Sequence, residues 1–344
     1  MRIGMTAALA LLAAGSIAAG CGGDDAGEDG TSSPLTEALG EVGISGDEPA
    51  SFTWVDTARL REVAGLGETA EEAIDDEEWQ TAVGLVFGSN GALPEFEFDP
   101  MGGERTIVVG SPPVEATRFD GLDPAAAEAS FEELGFEAVE SDGREFLALG
   151  DEGEIASEPL GDAGAGLVGI NRVLIEDEAF AFGGYEDAVV AALDPGEPLG
   201  DQPGFAAMAD CMGEEALAAS IRDPRDGEAE QVALVGVGIA TAGGDPASDV
   251  VCAVGAEGES LEEVSAQMEE AFNEGGLEPV TSRPYEDLLG PAEIESGESD
   301  GAPWVRATFD LPTGTPVGVV FQVDQQAALP LGGDPPSTSP TSSP

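Results

Sequence analysis

Histidine and lysine are both absent from this chain of 344 residues. Without histidine, the chain cannot form a Ser-His-Asp or Cys-His catalytic group, an HExxH metalloprotease site or a zinc site with histidine ligands. Without lysine, it cannot form a Walker A loop, a Ser-Lys dyad or a pyridoxal Schiff base. Carboxylate chemistry remains open.

Positive charge is also scarce, because 70 acidic residues stand against 11 arginines and the formal net charge is −59. Nucleic-acid binding rests on Lys and Arg side chains that neutralise phosphates, so we expect no nucleic-acid partner. Proteins and cationic ligands are the permitted partners. Repulsion among so many carboxylates destabilises a compact state, and salt screens that repulsion. We therefore expect the stability of the folded protein to rise with salt concentration.

The N-terminal segment has the features of an export signal. Arg2 is followed by an apolar run and then by small residues, as signal segments require. The segment Ala18-Ala19-Gly20-Cys21 resembles the lipobox of bacterial lipoproteins, in which the first position is more often Leu than Ala. The resemblance implies that residues 1–20 are removed and that Cys21 carries a lipid. The lipid would anchor the protein to the outer face of the cytoplasmic membrane. An ordinary secretory signal and a transmembrane anchor are the alternatives.

Cys211 and Cys252 are the two cysteines besides Cys21. Two cysteines in an exported domain predict one disulfide, and two buried free thiols are the alternative. A disulfide that closes a loop of about 40 residues would stabilise the fold by roughly 4 kcal/mol in the chain-entropy model. No Cys-x-x-Cys motif is present, so the sequence gives no support to a thioredoxin-like redox role.

Composition divides the chain into five parts. Residues 1–20 form the signal peptide, and residues 21–50 are rich in Gly, Asp and Ser, as in a flexible acidic tether. Residues 51–200 and 201–331 are predicted to form two α+β units. The Pro/Ser/Thr-rich tail at 332–344 has little to bury, and we expect it to be disordered.

An internal similarity suggests that the two α+β units are related. The segments Gly135–Ser141 and Gly276–Ser282 share the pattern G-[FL]-E-x-V-x-S, and each follows a predicted amphipathic helix. The second helix is expected to begin at a capping box, Ser260–Glu263. A strand is predicted at Gly318–Val323, near the end of the second unit. The pattern indicates an α+β fold of two related β-α-β-β units, of split-βαβ type, with antiparallel or mixed sheets and helices on one sheet face.

The pattern as a whole resembles secreted lipoproteins of uncharacterised role in high-GC Gram-positive (actinobacterial) bacteria. The resemblance rests on Phe52–Asp56, on Ser111–Pro113, on the segment Phe119–Gly121, and on Cys211 and Cys252. It implies no known catalytic residues and no cofactor.

Two local patterns suggest ligand binding but have simpler interpretations. The acidic run from Glu71 to Trp79 is interpreted as a solvated helix face that ends at a buried tryptophan, and a calcium site is the alternative. Gly236 and Gly238 begin like a dinucleotide-binding loop, but Thr241 stands where the third glycine should be. No catalytic, metal or cofactor site is predicted.

These observations favour a membrane-tethered lipoprotein that acts as a non-catalytic binding or interaction module. A solute-binding lipoprotein of a transport system is one alternative, because length and lipidation suit it. A carboxylate-based hydrolase is the other, since a glycosidase needs only two carboxylates at the right separation.

Overall fold

The structure is a computed structural model. It describes residues 32–46, 51–87, 98–153, 170–225, 228–241, 247–326 and 329–331. The signal segment, Cys21 and the C-terminal tail lie outside the described residues. The described residues, which begin at Ser32, form one compact unit.

The centre of the fold is a twelve-stranded open sheet in which every neighbouring pair of strands is antiparallel. The prediction of an α+β fold is therefore confirmed. The strands are β1 Ser51–Asp56, β2 Arg105–Ser111, β3 Val114–Asp120, β4 Glu137–Ser141, β5 Arg144–Ala148, β6 Arg172–Ile175, β7 Ala179–Gly183, β8 Ala216–Arg222, β9 Val232–Ala240, β10 Ser248–Gly255, β11 Ala292–Ser299 and β12 Ala302–Phe309.

The strand order is β11-β12-β10-β9-β8-β1-β2-β3-β7-β6-β5-β4. Counted outward from the central β1–β8 pair, one half of the sheet runs β1-β2-β3-β7-β6 and the other runs β8-β9-β10-β12-β11. Both halves place their strands in the same sequential order, and the β4–β5 hairpin extends the first half only. The sheet ends at β4 on one side and at β11 on the other, and several glutamates lie along each of these two strands.

Ten helices accompany the sheet in the described part of the chain. They are α1 Pro34–Gly40, α2 Thr57–Ala64, α3 Ala70–Ala73, α4 Gln80–Val86, α5 Pro124–Glu133, α6 Glu186–Leu193, α7 Pro203–Met212, α8 Glu262–Asn273, α9 Tyr285–Leu289 and α10 Val319–Gln325. At the start of α5, the carboxylate of Asp123 accepts a hydrogen bond from the N–H of Ala125 and so caps the helix.

Helices cover both faces of the sheet, and not the single face that we expected. Successive residues of a strand point to opposite faces. Phe52 and Trp54 of β1 belong to a core with α1, α6 and α7, whereas Val55 belongs to a second core with α2, α4, α8, α9 and α10. A third core of phenylalanines surrounds α5. Both faces can be covered because strands such as β9 and β10 are apolar along almost their whole length.

Three segments differ from the sequence-based prediction. Residues 34–40, assigned to the flexible tether, form α1, in which Leu35 and Leu39 are fully buried. The predicted strand Gly318–Val323 is instead the start of α10. The predicted capping box at Ser260 is not formed as such, because α8 has Leu261 as its N-cap and Ser260 lies one residue earlier.

The repeated sequence pattern occupies corresponding places in the two halves. Gly135–Ser141 follows α5 and forms β4, whereas Gly276–Ser282 follows α8 and forms a turn closed by a bridge between Leu277 and Pro284. In this turn the buried carboxylate of Glu278 accepts hydrogen bonds from the N–H groups of Val280 and Thr281.

Candidate functional site

A cleft of about 470 Å³ lies over the centre of the sheet, where the two half-sheets meet. We call it the central cleft. Its floor is formed by Thr53 of β1, Val108 of β2 and Ser220 of β8, which share one sheet face. Its two walls are α4 and α10. The wall residues are Gln80, Thr81, Gly84 and Leu85 of α4, and Phe321, Gln322, Asp324 and Gln325 of α10.

The N-terminal end of α10 is held by a buried carboxyl group. Asp249 of β10 is fully buried and accepts hydrogen bonds from the N–H groups of Gly318 (2.7 Å) and Val320 (2.8 Å). Burial raises the pKa of Asp249 to about 7, against the opposing effect of these two N–H donors. The N–H of Val317 also donates to the carbonyl of Glu78, which joins the approach to α10 to the start of α4.

The other end of α10 is held by an ion-pair cluster. Asp324 is only 6% exposed, and its carboxylate accepts hydrogen bonds from Arg222 (2.6 Å) and Arg225 (3.2 Å). Arg222 also binds the carboxylate of Glu228 at 2.7 Å. Burial alone would lower the pKa of Arg222, but its hydrogen bonds to Glu228 and Asp324 raise it above the ordinary value. The guanidinium thus remains charged and fixes α10 to β8.

The described residues that line the central cleft, which we call its lining, carry no unpaired charge. Asp324 is the one acidic residue among those that line the cleft, and its partners are two arginines. The other polar lining groups are hydroxyls and amides. Because the chain as a whole is strongly acidic, this uncharged surface contrasts with the rest of the molecule.

Hydrogen bonds on the floor and across the walls shape the cleft. Thr53 donates from its hydroxyl to that of Ser220 at 3.1 Å, and this contact joins the two central strands. The amide nitrogen of Gln322 donates to the hydroxyl of Thr81 at 3.1 Å and so connects the two walls. Gln80 and Gln325 are exposed. Gly84 is also exposed, and a Cβ atom added there would meet no atom within 4 Å.

Cys211 and Cys252 form a disulfide, as two cysteines in an exported domain led us to predict. It connects α7 to β10, and both residues are fully buried. The disulfide lies in the core on the opposite sheet face from the central cleft. Its role is therefore to fix α7 against the sheet and not to form part of the cleft.

The other patterns found in the sequence do not contribute to a site. Gly236 and Gly238 lie inside β9, where a Cβ atom would come within 3 Å of methionine side chains of α7. They therefore allow close packing of helix on strand. Trp79 is buried at the end of the acidic run, as predicted, but the run is not one helix face, because the helix α3 ends at Ala73. Among the described residues, no group of three or more acidic or cysteine side chains is placed to hold a metal ion.

No described helix has both the length and the apolar character needed to cross a bilayer. Comparisons with protein-family models, with curated proteins and with solved structures give no significant match. The site must therefore be interpreted from its own chemistry.

Sequence reasoning did not find the central cleft. Its lining comes from β1, α4, β2, β8 and α10, which are spread over more than two hundred residues of sequence. No local motif marks any of these segments. The one usable signal is the low charge of Gln80–Val86 and of Val319–Gln325, which contain a single acidic residue between them in a strongly acidic chain.

Proposed function

We propose that this protein is a membrane-tethered extracytoplasmic lipoprotein that acts as a non-catalytic binding module, with the central cleft as its binding site. The observation that carries the proposal is the position of the cleft at the junction of two half-sheets. Small-molecule sites occur preferentially in clefts where structural units meet, such as domain interfaces, and volumes of about 300–1,000 Å³ are typical. The cleft's volume of about 470 Å³ falls within that range.

We also propose that the two half-sheets are related units of split-βαβ type. In the second half, β10 and β11 are joined through α8 and are separated in the sheet by β12. In the first half, β3 and β6 are joined through α5 and the β4–β5 hairpin, and β7 lies between them. The shared G-[FL]-E-x-V-x-S pattern after α5 and α8 supports the same relation. In this relation β1 and β8 are equivalent strands of the two units. Both contribute to the floor of the central cleft, which lies where the two units meet.

The lining of the cleft favours binding over catalysis. A carboxylate-based hydrolase needs two carboxyl groups across the reacting bond. Asp324 is the single carboxylate of the lining, and its oxygens already accept hydrogen bonds from Arg222 and Arg225. The lining also contains no cysteine and no tyrosine.

Tethering is proposed from the lipobox-like segment alone, because Cys21 lies outside the described residues. We expect Cys21→Ala to leave the protein as an uncleaved precursor or to release it from the membrane. Partition of the wild-type and variant proteins into detergent, with mass analysis of the N-terminal peptide, measures this. A wild-type N-terminal peptide without acyl mass would contradict the proposed anchor.

The binding function is tested on intact cells by crosslinking and mass spectrometry, with the Gly84→Trp variant as a blocked cleft. Capture of the same partner or ligand by the wild-type protein, but not by the variant, supports the proposal. Hydrolysis of a glycan or ester that is lost on substitution of a single Asp or Glu would contradict it in favour of an enzyme.

A further inference from the structure

The charge and hydrogen-bonding groups of the central cleft restrict the class of ligand that it can bind. We propose that the cleft binds a neutral saccharide of one or two sugar units, an inference that rests on the proposed binding function. This differs from the protein or cationic partner that the net charge alone predicts.

The first argument is charge. A site for a cation needs carboxylates or other anionic groups that remain available to it. The only carboxylate in the lining, Asp324, is 6% exposed and is paired with Arg222 and Arg225. A site for an anion needs an available cation, and no arginine is among the lining residues. A neutral ligand therefore fits the cleft better than either kind of ion.

The second argument is hydrogen bonding. A sugar hydroxyl both donates and accepts, so it is matched by protein groups that can also do both. Hydroxyl and carboxamide side chains have this property. Six of the lining residues carry such groups, namely Thr53, Gln80, Thr81, Ser220, Gln322 and Gln325. They lie on the floor and on both walls, so a ligand with hydroxyls on several sides can be bound from several directions.

The third argument concerns shape. Leu85 and Val108 give the cleft a small apolar area, against which the C–H groups of a sugar ring can pack. α10 is fixed at its N-terminal end by Asp249 and near its C-terminal end by Arg222. A wall that is held in this way is already in position before binding, and preorganised sites lose less entropy when a ligand binds.

The structure argues against an extended peptide in the same place. Peptides commonly bind by adding a strand to an exposed sheet edge. The floor strands β1, β2 and β8 are each paired on both sides, so their backbone groups are already used. The walls also lack deep apolar pockets for anchoring side chains, because their exposed residues are mainly glutamines and a glycine.

The test is calorimetric titration of the full chain in detergent with glucose, maltose and trehalose, and with spermidine and tetra-alanine as probes of the other ligand classes. Gly84→Trp places a large side chain at the cleft, whereas Gly84→Ala changes the same position with little loss of space. Gln325→Ala removes one lining amide. Gln326→Ala removes the neighbouring amide of the same helix, which does not line the cleft. Circular dichroism and thermal melting check that each variant is folded.

We expect at least one of the sugars to bind, and Gly84→Trp to abolish that binding. Gln325→Ala should weaken it by roughly two- to tenfold, the effect of losing one hydrogen bond. Gln326→Ala should leave it unchanged, and Gly84→Ala should weaken it less than Gly84→Trp does. If Gly84→Trp does not fold, the comparison of Gln325→Ala with Gln326→Ala still decides the location of the site.

Sugar binding that is equal in all four variants would overturn the assignment to the cleft. Binding of spermidine or tetra-alanine in place of sugars, blocked by Gly84→Trp, would overturn the ligand class but leave the proposed binding function intact. Absence of binding by every probe would overturn the saccharide assignment. The crosslinking experiment on cells would then decide the binding function separately.

Discussion

The replacement of Asp249 by asparagine tests how the buried carboxyl group controls the position of α10, and thereby one wall of the central cleft. The pKa of Asp249 is raised by burial to about 7, from an ordinary value of 3.8. A raised pKa means that the folded protein binds the proton more tightly than the unfolded chain. This contribution to stability is fully present below about pH 4 and is lost as the pH rises through about 7.

The magnitude follows from the shift. A pKa shift of one unit corresponds to roughly 1.4 kcal/mol. The loss of the proton from Asp249 should therefore lower the free energy of unfolding by at most about 4 kcal/mol between pH 4 and pH 8. Asparagine has a similar shape and does not ionise, but its NH2 group cannot accept a hydrogen bond, so one of the N–H groups of Gly318 and Val320 loses its acceptor. Asp249→Asn should therefore be less stable than the wild type near pH 4, by about 1–3 kcal/mol. This deficit should shrink by up to about 4 kcal/mol between pH 4 and pH 8, because the wild type loses the contribution of its protonated carboxyl group over that range.

Urea unfolding of the wild-type and Asp249→Asn proteins, measured by circular dichroism from pH 4 to pH 8, provides the assay. Asp177→Asn is the matched control, because Asp177 is exposed and its replacement changes the net charge by the same amount. The difference between Asp249→Asn and Asp177→Asn removes the effect of overall charge repulsion. A difference that does not vary with pH, or a deficit of Asp249→Asn that grows from pH 4 to pH 8, would refute the reasoning.

Four further predictions concern the packing, the disulfide and the charge of the fold. Gly238→Ala should destabilise the protein by roughly 1–3 kcal/mol, because its Cβ would lie 2.8 Å from the carbonyl oxygen of Ala218. Gly84→Ala, on a helix with open space, should instead stabilise it by about 0.5–1 kcal/mol in the same urea assay. Alkylation without reductant should add no mass to Cys211 or Cys252, and full labelling of both thiols would contradict the disulfide. Replacement of both cysteines by alanine should lower the free energy of unfolding by about 4 kcal/mol, because the bridged residues are 41 apart in sequence. The melting temperature should rise with salt up to about 1 M, because screening weakens repulsion among the carboxylates; an unchanged melting temperature would indicate that bound cations already balance them.

The apolar strands could be predicted from sequence, since apolar runs rich in valine, such as those of β9 and β10, favour a buried strand. The helix α10 could not. Its Val319-Val320-Phe321 run favours a strand locally. However, Asp249 accepts hydrogen bonds from the N–H groups of Gly318 and Val320 and so stabilises the N-terminal end of the helix. That carboxyl group is about 70 residues away in sequence, and local propensity contains no information about it.

The strand β11 and the helix α1 were missed for related reasons. β11 contains Glu293, Glu295 and Glu298 with few apolar residues, because it pairs on one side only and is largely exposed. α1 lies among Gly, Asp and Ser residues that suggested a flexible tether. Leu35, Leu39 and Val42 are nevertheless spaced so as to share one helix face, and all three are fully buried. Periodicity was a better guide than average composition in this segment.

The acidic residues at the two ends of the sheet have a consequence for association between molecules. An edge strand offers unpaired backbone groups to which another chain can add, and charged side chains along the edge oppose such association. Glu137 and Glu140 lie on β4, and the glutamates of β11 lie at the opposite end. Salt screens the charges of these edges as it screens those elsewhere on the molecule. The salt concentration that most stabilises a single molecule is thus also the one at which neighbouring molecules are least prevented from joining their sheets.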